Sequence, residues 1–112
     1  MATVTIGVAN TREDLARLRA AAHGTPQGSH ISFASFDLLW KVLTPKRMQI
    51  VDVLSGAGTL SIREVARRVG RDVRAVHADV VTLIKSGVIR RVEGGVAFPY
   101  SAIHVNFTLK AA

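Results

Sequence analysis

Residues 61–85 of the chain, SIREVARRVGRDVRAVHADVVTLIK, carry the pattern that decides the fold. Ser61 and Glu64, three positions apart ahead of an apolar run, form the capping-box pattern with which helices begin. Gly70 predicts the end of this first helix, because glycine readily takes the positive φ of a helix C-cap. Asp72 then predicts the start of a second helix. Two helices joined by a turn of three or four residues that contains glycine are typical of a helix-turn-helix.

The second helix has two different faces. At about 100° per residue, one side is an apolar stripe that predicts a core contact, made of Val73, Val76, Val80, Leu83 and Ile84. The other side is basic with small residues in its middle, and it comprises Arg74, Ala75, Ala78, Thr82 and Lys85. Small side chains let a helix approach base edges, and arginine can donate two hydrogen bonds to guanine. The alternative is an ordinary amphipathic helix with a solvated polar face.

Positive charge is concentrated around this pair of helices. The chain has 15 Lys and Arg against 8 Asp and Glu, a net charge of +7. Residues 61–91 hold eight basic residues against three acidic ones, a net charge of +5. The eight are Arg63, Arg67, Arg68, Arg71, Arg74, Lys85, Arg90 and Arg91. Basic charge gathered on a helix-turn-helix predicts a polyanionic partner, most often double-stranded DNA.

Length and composition indicate one globular domain. The chain has 112 residues with 48% hydrophobic and 21% charged residues, which is not a disordered composition. No apolar run approaches the roughly 20 residues of a membrane span, and the N-terminus lacks the pattern of a signal peptide. We therefore expect a cytoplasmic protein without a membrane partner. The absence of cysteine excludes disulfides and thiolate metal sites.

The N-terminal third predicts a strand, a helix and a loop. Alternating apolar residues over positions 3–8 indicate a half-buried strand, and Thr11 caps a helix that we expect to stop at Gly24. Residues 25–30 read as a loop. We expect residues 1–30 to be a strand–helix extension of the same domain, whose main body is residues 31–112.

The segment before the helix-turn-helix is the most apolar part of the chain. Ser35 predicts the cap of a short helix that contains Trp40, for which a core or dimer-interface position is favoured over stacking on a base. Thr44 and Pro45 predict another helix start. Lys46 and Arg47 in its first turn are either phosphate contacts or solvated side chains.

The chain after the second helix predicts a β-hairpin. Residues 88–92 and 96–98 read as strands, and Glu93-Gly94-Gly95 supplies the turn. A hairpin directly after a helix-turn-helix is the wing of a winged helix, from which Arg90 and Arg91 could reach DNA. Alternating apolar residues over positions 103–109 predict a last strand, paired either with residues 3–8 or with a second subunit. The expected fold class is α+β, mostly α: a winged helix-turn-helix with an N-terminal strand–helix extension and a C-terminal strand.

The order of these segments resembles a known family. ISFAS, LTPKR, SIREVARRVGRDVRAVHADV, GVIRR, VAFPY and IHVNF, spread over residues 31–109, are similar to small prokaryotic winged-helix proteins regarded as MarR-like DNA-binding transcriptional regulators. The segment from Ser61 to Val80 is the most specific part. Members often lie beside toxin-like genes, so the resemblance also implies an antitoxin or autorepressor role and a toxin protein as a partner.

Motifs for other chemistry are missing from the sequence. The four histidines have no helical zinc spacing, no Ser-His-acid set can be argued, and no glycine loop could cradle a phosphate, so we expect neither an enzyme nor a cofactor. His77 lies beside the apolar stripe, which favours a structural histidine over a base contact. Asp79 is expected to pair with a nearby arginine and orient it.

These patterns predict a sequence-specific DNA-binding regulator, most simply a repressor that acts as a homodimer. Its second helix would enter the major groove, with Arg74 and Ala75 at base edges and the other basic residues at phosphates. The terminal strands and residues 31–43 are the candidate dimer interface. The alternative is an antitoxin-like or docking module whose main partner is another protein, since fold does not fix function.

Overall fold

A computed structural model describes residues 3–9, 11–22 and 29–106. Within these ranges the chain forms five helices and five short strands: β1 (Thr3–Val8), α1 (Thr11–Ala22), β2 (Ser29–Phe33), α2 (Phe36–Val42), α3 (Pro45–Leu54), α4 (Ile62–Val69), α5 (Val73–Ser86), β3 (Arg90–Val92), β4 (Gly95–Ala97) and β5 (Ala102–Asn106). This confirms the α+β, mostly α class. No helix in the described ranges is long and apolar enough to cross a membrane.

The first and last described strands lie side by side in a parallel sheet of order β2-β1-β5. Ile6 of β1 lies opposite Ile31 of β2 and Val105 of β5. Val4 and Ile6 point inward and are fully buried. The pairing of the C-terminal strand with residues 3–8 is thus confirmed, although residues 107–109 of that predicted strand lie outside the described residues.

Strand β2 was not predicted. Its sequence is SHISF, and it includes the last two residues of the loop that we expected over residues 25–30. Residue 30, the expected end of the N-terminal extension, therefore lies inside a strand. Five residues are too few for alternation to stand out. The expected stop of α1 at Gly24 lies outside the described residues.

Helices α2 to α5 and the β3–β4 hairpin surround one hydrophobic core, to which the sheet contributes Val4 and Ile6. The side chains that are fully buried include Leu39 of α2, Ile50 of α3, Val65 of α4, and Val80 and Leu83 of α5. The predicted caps form: Ser35 Oγ accepts from Leu38 N, and Pro45 occupies the first turn of α3. The apolar spacing of each helix therefore decides which of its faces is covered.

The local geometry between α4 and α5 follows the sequence pattern. Ser61 Oγ accepts a hydrogen bond from Glu64 N at 3.1 Å. Gly70 ends α4 with φ +70° in the left-handed region, and Asp72 caps α5. Glu64 does not complete the reciprocal capping box, because its carboxylate accepts hydrogen bonds from Arg67 and Arg68 instead. A turn of three residues thus joins the two helices.

The hairpin is hydrogen-bonded to Leu60, two residues before α4 begins. β3 and β4 pair antiparallel, with Arg91 opposite Val96. Leu60 and Val96 exchange two further backbone hydrogen bonds, of 3.0 and 2.9 Å. Gly95 permits this approach: its φ is +153°, and a Cβ at this position would lie 2.1 Å from the Leu60 carbonyl oxygen. The hairpin and the start of α4 are therefore one rigid unit.

Three large apolar side chains of α2 and α5 lie at the surface, and one of them was expected in the core. Val73, assigned to the apolar stripe of the second helix, is 42% exposed, although Val76, one turn further on, is fully buried. Trp40 is 51% exposed, so it is not in the core, and the alternative of a dimer-interface position stays a prediction. Leu38, on the same short helix α2, is also exposed. Burial requires a neighbouring element as well as an apolar side chain, and spacing alone does not reveal where that neighbour ends.

Candidate nucleic-acid interface

The outward face of α5 carries a basic side chain near each end and small side chains between them. Arg74, Ala75, Ala78 and Lys85 are exposed, and Thr82 is partly exposed. The Thr82 hydroxyl donates to the Ala78 carbonyl at 3.3 Å, so its proton is used in a hydrogen bond within the helix. The opposite face is fully buried at Val76, Val80 and Leu83. The helix has 14 residues and is about 21 Å long. It presents one cation near each end of a strip of small side chains.

The N-terminus of α5 is occupied by the chain's own carboxylate. Asp72 accepts hydrogen bonds from Arg74 N at 3.0 Å and from Ala75 N at 3.4 Å. A free helix N-terminus attracts phosphate because its amides point outward and its dipole is positive. Here Asp72 satisfies those amides. A polyanion would therefore meet α5 through side chains and not through the helix terminus.

The cations of α4 are partly neutralised by one acid. Arg67 Nε lies 2.6 Å and Arg68 Nε lies 3.4 Å from the Glu64 carboxylate. The hydrogen bond from Arg67, helped by Arg68, lowers the pKa of Glu64, and the same bond raises the pKa of Arg67. Arg63 is exposed, and among the described residues no carboxylate lies within ion-pair distance of it. Hence α4 offers about two net positive charges and not three.

Arg71 does not join the surface that the sequence predicted for it. Its side chain is only 19% exposed, and Nη2 lies 2.8 Å from Asp79 Oδ2. Its other terminal nitrogen, Nη1, is buried and has no hydrogen-bond partner within the described ranges. The assignment of Arg71 as a DNA contact is therefore corrected: Asp79, about two helical turns beyond the Asp72 cap, draws this side chain inward.

Arg47 completes an internal cluster with the same acid. Its Nε donates to Asp79 Oδ1 at 3.0 Å, and its Nη1 donates to the carbonyls of Lys41 and Val42 at 2.7 and 3.2 Å. Arg47 is thus neither a phosphate contact nor a solvated side chain. Burial alone would raise the pKa of Asp79, but hydrogen bonds from Arg71 and Arg47 outweigh it and lower the pKa. The expected pairing of Asp79 with an arginine is confirmed, and it ties together α2, α3, α5 and the turn before α5.

The hairpin carries two exposed arginines that point in different directions. Arg90 and Arg91 are consecutive residues of β3, and successive side chains of a strand project to opposite faces. Arg91 lies directly opposite Val96, which is buried, and Arg90 lies opposite Ala97. Both guanidinium groups reach the surface. A single ligand lying on one face of the hairpin would meet only one of them.

His77 differs from its expected structural role. It is exposed, and it lies one helical turn beyond Val73. Sequence spacing placed Val73 on the apolar stripe and His77 beside it, because it assumed that every turn of the helix is covered. Their place near the Asp72 cap was no signal of exposure, since Val76, in the same turns, is fully buried.

Comparisons with known proteins identify a family. No curated protein and no solved structure matches the chain. The family model HVO_A0114 matches residues 42–105, a span that runs from the end of α2 through α3, α4, α5 and the hairpin to β5. Because this match covers more than half of the 112 residues, the chain belongs to the HVO_A0114 family.

Proposed function

We propose that the protein is a sequence-specific DNA-binding transcriptional regulator. In this proposal α4, α5 and the β3–β4 hairpin act as a winged helix-turn-helix. One observation carries the proposal: the outward face of α5 combines exposed Arg74 and Lys85 with the small residues Ala75 and Ala78 between them. The MarR-like resemblance of the segment from Ser61 to Val80 supports the same function.

The N-terminal half of α5 would lie in the major groove. Arg74 is exposed, and no carboxylate in the described part of the chain pairs with it, so its guanidinium can donate to the O6 and N7 atoms of a guanine. Ala75 and Ala78 would allow the helix backbone to approach the base edges closely. The buried side of α5, held by Val76 and Val80, fixes which side chains face the DNA.

The surrounding cations would bind phosphates. Arg63, Arg67, Arg68 and Lys85 are candidates, together with one of Arg90 and Arg91, because those two project to opposite faces. We count Arg67, Arg68 and Glu64 together as one net positive charge. With Arg63, Lys85 and one hairpin arginine this gives about four phosphate contacts per subunit. Four contacts correspond to a slope of about −3.6 in log K against log[salt]. Each subunit would then contribute about half the phosphate contacts that the eight basic residues of segment 61–91 suggest.

We further propose that the regulator acts in the cytoplasm, as a homodimer and as a repressor, without an enzymatic activity or a cofactor. One small module contacts few base pairs, and two-fold symmetric dimers are the commonest assemblies. Leu38 and Trp40 on α2 are exposed apolar side chains that suit a contact between subunits.

A fluorescence-anisotropy titration tests the proposal. The protein is titrated against its own upstream DNA and against a scrambled duplex of equal length, each at two salt concentrations. We expect preference for the upstream DNA, and we expect Arg74→Ala to weaken that binding by about 1–3 kcal/mol. Arg19→Ala, which removes the same charge from α1, is the matched control and should change the affinity little. Equal weak binding to both duplexes would contradict the proposal.

A second candidate function is an antitoxin-like or docking module with a protein partner. The exposure of Trp40 at 51%, next to exposed Leu38, favours it, since aromatic residues are enriched at protein interfaces. The two functions are separable by experiment. Co-expression with a neighbouring toxin-like protein should yield a complex, which Trp40→Ala should dissociate and Arg74→Ala should leave intact.

A further inference from the structure

The first turn of α5 presents an apolar side chain directly beside the proposed base-reading arginine. Val73 is 42% exposed, whereas Val76, one turn further, is fully buried. Single exposed apolar residues are common on protein surfaces. Val73 stands out because of its place: it is the first residue of α5, followed at once by exposed Arg74.

Val73 belongs to a continuous strip along the first two turns of α5. Val73, Arg74, His77 and Ala78 are all exposed, and their positions, i, i+1, i+4 and i+5, adjoin on a helix surface. None of the four is acidic. The nearest acid, Asp72, directs its carboxylate to the amides of the first turn. The strip is therefore apolar and basic, which complements the edges of a base pair between two phosphate backbones.

Base edges in the major groove offer few apolar groups. Guanine presents two acceptors and cytosine a donor, whereas thymine presents the C5-methyl group, with which small apolar side chains make contact. A valine has no polar atom with which to satisfy the other bases. Against guanine or adenine it would leave the base acceptors without a partner, so its presence on a reading surface selects thymine.

We propose that Val73 contacts the methyl group of a thymine in the bound DNA, beside the guanine that Arg74 contacts. Val73 is then a specificity-determining residue of α5, and the recognised half-site holds a thymine and a guanine on neighbouring base pairs. This inference rests on the proposed function and adds the identity of one base to it.

The test uses a change in the DNA that leaves the protein untouched. Duplexes are first selected from a randomised pool with the wild-type protein. Each thymine of the enriched sequence is then replaced, one at a time, by deoxyuridine, which lacks only the C5-methyl group. At one position next to a guanine, we expect wild-type affinity to fall about fourfold, as for the loss of one buried methyl contact. Val73→Ala should bind the two duplexes within about twofold of each other.

The possible outcomes separate this inference from the function on which it rests. A pool that yields no enriched sequence contradicts both. Enrichment with no thymine sensitive to the exchange, or with Val73→Ala as sensitive as the wild type, overturns the role of Val73 and leaves the regulator intact. Because Val73 is exposed, its alanine variant should unfold at the wild-type urea concentration. A variant that loses dimerisation and keeps its base preference would place Val73 at a protein interface instead.

Discussion

Replacing Asp79 by asparagine should remove a large share of the stability that holds α5 in place. Asp79 accepts charged hydrogen bonds from Arg47 at 3.0 Å and from Arg71 at 2.8 Å, and its side chain is only 15% exposed. A hydrogen bond to a charged group contributes about 1.5–3 kcal/mol. Asparagine keeps one carbonyl oxygen and can retain one of the two bonds. We therefore expect the free energy of unfolding of Asp79→Asn to fall by about 2–3 kcal/mol.

Urea denaturation followed by far-ultraviolet circular dichroism measures this loss. For a chain of this size the same change lowers the melting temperature by about 8–12 °C. Glu64→Gln is the matched control, because it also removes a carboxylate that binds two arginines, but on an exposed surface. Exposed ion pairs contribute little, so this variant should unfold at the wild-type midpoint. Equal midpoints for Asp79→Asn and the wild type would refute the role assigned to the internal cluster.

The dependence of this difference on pH follows from the lowered pKa of Asp79. Burial opposes ionisation, but the hydrogen bonds from Arg71 and Arg47 keep the folded-state pKa below its ordinary value. In the unfolded chain an aspartate side chain has a pKa of about 3.9. A group with a depressed folded pKa contributes stability above the unfolded pKa and loses it as the pH falls through the folded pKa. The gap between wild type and Asp79→Asn should therefore be constant near neutral pH and should close below about pH 4. A gap that persists at lower pH would mean that packing, and not charge, is responsible.

Two further substitutions test the backbone around the proposed reading elements. Gly95→Ala places a Cβ 2.1 Å from the Leu60 carbonyl oxygen, so we expect a loss of about 2–4 kcal/mol from backbone strain and broken hydrogen bonds. Gly94→Ala, whose Cβ would meet nothing closer than 3.9 Å, is its control and should cost less; equal midpoints in urea would contradict this reasoning. Asp72→Ala removes the cap of α5 and should lower the free energy of unfolding by about 1 kcal/mol. Asp72→Asn preserves the acceptor and should restore most of that loss, which the same denaturation series measures.

Local signals in the sequence were enough to predict α4, α5 and the short turn between them. The Ser61 cap, the left-handed Gly70 and the Asp72 cap each act within three residues, and all three are confirmed. Of the two partners proposed for the last strand, residues 3–8 are confirmed; apolar alternation in β1 and β5 indicated strands but did not decide between the two. Strand β2 was not predicted, because its five residues show too short an alternation of polar and apolar residues and directly follow a loop-like segment.

Charge pairing was less predictable, because it depends on contacts between distant residues. Arg47 and Asp79 are 32 positions apart, so nothing in the local sequence showed that Arg47 is internal. Arg71 was counted as a DNA contact because it lies in the basic segment 61–91, at the start of the second helix. Two acids, Glu64 and Asp79, decide which arginines remain available. A count of basic residues in the sequence therefore overestimates the number of cations that a polyanion would meet.

The same internal cluster bears on how α5 and the hairpin could act together on one ligand. At its middle, α5 is held by Asp79 through Arg47, whose guanidinium also binds carbonyls at the end of α2. At its C-terminal end, the amides of Val88 and Ile89 both bind the Leu83 carbonyl, and the hairpin that follows is fastened to Leu60. Contact residues are most selective when they sit on rigid elements held by surrounding interactions. These bonds set the spacing between the α5 and β3 backbones from which Arg74 and the hairpin arginines project, so variation in the bound sequence would be discriminated by misfit to that spacing.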